Sequence, residues 1–106
     1  MKFIVLFVML LISGTVFAWS EQSFTVLEVG ASNNTNSIFL VVAQPANNTT
    51  CTNPNLFRMP LTDQLANKFY AAALSAQAQK KMMTLGYNST DCLTEGVVPR
   101  SFKVVN

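Results

Sequence analysis

The chain has 106 residues, with 7 Lys or Arg against 5 Asp or Glu and no histidine. This length builds one small domain, and so balanced a charge argues against nucleic acid or an anionic membrane surface as a partner. The missing histidine removes the commonest general base and metal ligand, which counts against an enzyme.

At the amino end Lys2 precedes an apolar run, Phe3 to Ile12, which Ser13-Gly14 interrupt. Val16 and Ala18 fit the small-residue positions of a signal-peptidase site, so residues 1–18 read as a signal peptide cleaved between Ala18 and Trp19. The apolar run is shorter than the roughly 20 residues a spanning helix needs. The expected product is residues 19–106, exported to the periplasm or fully secreted, with no membrane span after signal removal. Removing 18 of 106 residues leaves 88, and losing Lys2 leaves 6 basic residues against 5 acids, a net charge of +1.

Two cysteines, Cys51 and Cys92, remain in the predicted mature chain and have one intramolecular pairing available. In an oxidising compartment a disulfide is expected. Closing a loop of this length should destabilise the unfolded state by about 4 kcal/mol on the chain-entropy model.

Phe24–Val29 is rich in β-branched and aromatic residues and reads as a strand ending at Gly30. An Asn/Ser/Thr-rich turn follows. Ile38–Ala43, a continuous apolar run of strand length, reads as a central strand. A polar loop from Gln44 to Asn55 carries Cys51, and Leu56–Met59 reads as a short edge strand stopped by Pro60. Thr62 is the expected N-cap of a helix reaching Gln79, with Leu65, Phe69, Ala72, Ala73 and Ala76 on one stripe, widened by Tyr70 and Leu74. Lys80-Lys81 suit its negative end. In Met82–Tyr87 the residues Met83, Leu85 and Tyr87 share one face, and Ser101–Val105 is the last strand.

This element order, three strands, a helix and two strands, is that of the OB-fold, a five-stranded, partly open barrel plugged at one end by the helix through Leu65, Phe69 and Leu74. The alternative is an α+β antiparallel sheet with one packed helix.

Chemistry is sparse. Asp91 and Glu95 flank Cys92, but two acids in a polar turn are better read as solvated surface than as a catalytic pair. The cysteine spacing does not suit zinc, and there is no phosphate-binding glycine loop, so no catalytic, metal or cofactor residues are assigned. Asn33, Asn47, Asn48 and Asn88 match the glycan-acceptor pattern, yet loops also accumulate Asn, Ser and Thr because these tolerate turns. Among the aromatics, Phe57 and Tyr87 fit core packing better than ring stacking on a sugar. Trp19 stands alone at the new N-terminus.

Phe24–Gly30, the loop-borne Cys51, Leu56–Pro60, the Ala-rich helix to Ala78, Lys80-Lys81-Met82, Gly86-Tyr87, Cys92 and Phe102–Val105 together carry a resemblance. The chain resembles a family of small secreted gammaproteobacterial proteins similar in architecture to the OB-fold B subunit of subtilase cytotoxin. Gln79 departs from it, standing where such helices often end in Gly. The resemblance implies an OB-fold with one disulfide and non-catalytic recognition of host glycan in a ring-shaped homo-oligomer. The leading expectation is thus a binding module for glycan or a protein partner. The alternatives are an envelope structural or assembly protein, or an inhibitor of a secreted enzyme.

Overall fold

The computed structural model describes residues 19–106, so the predicted signal peptide, including Ala18, lies outside the described residues. Trp19 opens the longest strand, β1 (Trp19–Ser32). It is followed by β2 (Ser37–Val42), β3 (Leu56–Pro60), one helix α1 (Ala66–Gln79), β4 (Met82–Asn88), β5 (Cys92–Leu93), β6 (Gly96–Val97) and β7 (Ser101–Val105). All seven strands join one sheet in the order β5-β6-β3-β2-β1-β4-β7.

Strand β1 serves two neighbours by bending. Its first half pairs antiparallel with β4, Trp19 with Asn88 through Thr25 with Met82. Its second half pairs with β2, and the register slips between Val26 and Glu28. The slip leaves Leu27 as an extra, exposed residue, the form of a β-bulge, which kinks a strand and raises its twist. At the far ends of the sheet, β6 runs parallel to β3 through Phe57 and Val97, whereas β7 runs antiparallel to β4. Only Val98-Pro99-Arg100 separates β6 from β7 in the chain. So short a link obliges the sheet to curl until its ends approach, giving a half-barrel.

The alternation read from the sequence supplies the core. Phe24, Leu40, Phe57, Met59, Met83, Leu85, Tyr87 and Val97 are buried inside the curl. Phe24, Phe57 and Tyr87 form an edge-to-face chain with centroids 5.0 and 5.7 Å apart. From α1, Ala66, Phe69, Ala73 and Ala76 complete it, with Phe69 edge-on to Phe102 at 5.3 Å.

The structure corrects four sequence expectations. There are seven strands rather than five, because Cys92–Leu93 and Gly96–Val97 pair with each other and Val97 with Phe57. Dipeptides this short carry no readable alternation. Strand β3 is not an edge: β2 lies on one side and β6 on the other. The helix begins at Ala66 rather than after Thr62, since Asp63 turns the chain first, its Oδ1 accepting from Leu65 N at 2.9 Å and its carbonyl from Ala66 N at 3.1 Å. Finally, Leu65, Tyr70 and Leu74 stay exposed, so Phe69 is the one large side chain that plugs the curl. Alanines at 66, 73 and 76 let the helix approach closely, which narrows the stripe it buries.

At the helix exit the Gln79 departure has a structural counterpart. Lys80 takes the left-handed conformation (φ 56°) that glycine usually adopts, its N–H turning back to Ala76 and Gln77 carbonyls. The helix therefore does run to Gln79.

Candidate functional site

Polar residues on the outer face of the sheet line up because pairing fixes them in rows. Glu21, Gly86 and Ser101 form one row, and Ser23, Thr84 and Lys103 the next. The hydroxyls of Ser23 and Thr84 are hydrogen-bonded at 2.8 Å. Glu21, Thr84, Ser101, Phe102 and Lys103 line a recess of about 180 Å³. Gly86 makes room beside it: a Cβ there would collide with the indole of Trp19 and with Ser101 Oγ. Trp19, 45% exposed, thus lies diagonally across the strand with its ring seated at Gly86. The half-exposed ring therefore sits at Gly86 next to Ser101, at the rim of a recess lined by a carboxylate, an ammonium and hydroxyls.

A larger, wide-open hollow of about 520 Å³ is lined by Thr62, Asp63, Gln64 and Leu65. These are consecutive residues of one turn, and Asp63 is already engaged with Leu65 N. That hollow offers no converging chemistry.

Cys51 and Cys92 are bonded, with Cα atoms 5.6 Å apart, and tie the β2–β3 loop to β5. Around them Thr50 N donates to Ser89 O and Asn53 N to Glu95 O, so the loop is anchored along its length. Asp91 is paired with Arg100 Nε, and this bond raises the guanidinium pKa from its usual value. Glu95 is exposed. Among the described residues no three His, Cys, Asp or Glu side chains gather to hold a metal ion.

Phe57 and Tyr87 are core residues, as the sequence suggested. The Tyr87 hydroxyl donates to Asn47 O at 2.8 Å and to Gln22 Oε1 at 3.2 Å, and Gln22 also accepts from Asn47 N. This network pins the β2–β3 loop to the inner side of the strands that carry the recess. Burial pushes the Tyr87 phenol above its ordinary value of 10.0. The folded state then keeps a proton that the unfolded state releases, so stability should be unaffected below about pH 10 and fall above it. Thermal melts from pH 8 to 11 should show this decline, and Tyr87→Phe should flatten it. An equal decline in both proteins would assign the loss to other groups.

Sequence reasoning missed Glu21, Ser23, Gly86, Ser101 and Lys103 as a group. The alternation Trp19, Glu21, Ser23, Thr25 was available, but starting the strand at Phe24 hid it. Pairing of β1 and β7 with β4 is a tertiary fact that no local signal announces. Compared with known proteins, the chain matches no family model, and no curated protein matches it. Among the described residues no helix is long and apolar enough to cross a membrane, and the disulfide is consistent with an exported protein.

Proposed function

We propose that the mature chain is an exported, non-catalytic binding module that recognises glycan at the Trp19–Gly86 recess. The observation that carries this reading is the exposed indole held at Gly86 next to Ser101, on the rim of a recess that Glu21, Thr84, Ser101 and Lys103 line. An aromatic face packs against the C–H face of a sugar ring while flanking polar groups exchange hydrogen bonds with its hydroxyls.

The fold is read more finely as an OB-like barrel. Support comes from the helix between β3 and β4, the parallel β3–β6 contact and the antiparallel β4–β7 pair. If β6 and β7 count as one strand interrupted at Val98-Pro99-Arg100, and β5 as an irregular turn, five principal strands remain. This is also the architecture the resemblance to the cytotoxin B subunit implies. A ring-shaped homo-oligomer would make a shallow, weak site effective through multivalency.

The test is a glycan array probed with oxidised protein beginning at Trp19. Specific binding should weaken about 30-fold in Trp19→Ala, the ~2 kcal/mol of an aromatic anchor. Gly86→Ala should weaken it too, by lifting the indole, and the emission of Trp19, the sole tryptophan, should then shift. Binding indifferent to both substitutions, or none across the array, would sink the proposal. Light scattering on the same material distinguishes a closed ring from a monomer.

A further inference from the structure

Strand β7 has β4 on one side and, among the described residues, no hydrogen-bonded strand or loop on the other. Parts of the sheet's other flanks are covered. The β2 side of Thr25 is occupied by Ala43 N and by Gln44 Oε1, at 3.0 and 2.7 Å. On the other flank of β1, past the bulge, Gln77 Nε2 from the last turn of α1 donates to Leu27 O at 2.9 Å. The β5–β6 end is two residues deep and held by the disulfide and by Val98 N on Asp91 O. Along Ser101–Val105, about 17 Å of backbone, alternate N–H and C=O groups point outward with no partner among the described residues.

We infer that the β7 edge is a strand-addition site for an extended peptide that places an acidic residue between two apolar ones. The side chains dictate that chemistry. Lys103 is exposed on the outer face and forms no ion pair among the described residues, where Arg100–Asp91 is the ion pair seen. Phe102 and Val104 point to the helix side, Phe102 against Phe69 and Val104 still 36% exposed. In an added strand the residue opposite Lys103 shares its face, and the flanking residues lie beside Phe102 and Val104. A carboxylate opposite Lys103 and β-branched apolar residues on either side complement the edge.

A second copy of the chain fits less well. Antiparallel self-pairing centred on β7 sets the two copies of Lys103, its middle residue, directly against each other, and like charges in that position repel.

The experiment uses the oxidised protein and two blocked peptides, Thr-Val-Glu-Val-Thr and Thr-Val-Lys-Val-Thr. Amide exchange should slow within Ser101–Val105 on adding the Glu peptide, and titration should favour it over the Lys peptide about tenfold. Lys103→Glu should reverse that preference, which a merely unfolded variant does not do. Trp19→Ala should leave peptide binding unchanged, separating this edge from the Trp19 side of the proposed sugar recess, with which it shares Lys103. The inference fails if exchange in β7 is unaffected at millimolar peptide. It fails equally if Lys103→Glu leaves the preference intact, or if the protein instead dimerises through this strand.

Discussion

Phe69→Ala should destabilise the protein by about 3–5 kcal/mol, the range for emptying a fully buried phenylalanine site. The upper part of that range is expected here for two reasons. Phe69 is the sole large side chain that α1 inserts into the curl, since its other buried residues, Ala66, Ala73 and Ala76, are small. Its neighbours also have little freedom to fill the space. Phe102 is held edge-on to the ring from a strand paired along its length with β4, and the alanines cannot extend. Urea titrations of the wild type and variant would measure the difference. A loss under about 1 kcal/mol would mean that the helix does not plug the curled sheet through this residue.

Breaking the disulfide should have a comparable effect. The double substitution Cys51→Ser/Cys92→Ser should cost about 4 kcal/mol, lowering the melting temperature by about 20 °C for a domain of this size. The double variant avoids leaving a lone reactive thiol. The bridge spans 41 positions and encloses β3, α1 and β4, so reduction frees much of the domain in the unfolded state. In the folded state the loop keeps its anchors on Ser89, Glu95 and Tyr87, and the native structure should survive at low temperature. A melting temperature within a few degrees of the wild type would show that those hydrogen bonds, rather than the covalent link, restrain the loop.

Local sequence determined much of this molecule. The alternation in Met82–Tyr87 put Met83, Leu85 and Tyr87 on one face, and all three are fully buried. The apolar run at Ile38 became the doubly paired β2, and the Ala-rich stretch became the helix. With two cysteines there was one bridge to make, and it is made. Each of these features follows from periodicity, propensity or counting, which neighbouring residues suffice to express.

Tertiary structure decided the rest. The start of α1 was set locally, by Asp63 accepting from Leu65 N and Ala66 N, but how much of the helix is buried depended on how closely its alanines approach the sheet. The two-residue strands β5 and β6 exist because β3 and the disulfide hold them in place. The Trp19–Gly86 recess and the open β7 edge are further from the reach of sequence. The first depends on residues over 60 positions apart, such as Ser23 and Thr84, and the second on β4 and β7 residues 15–23 positions apart, being set side by side in register. No local pattern encodes that register, because it is chosen by the bend of β1 and the closure of the whole sheet.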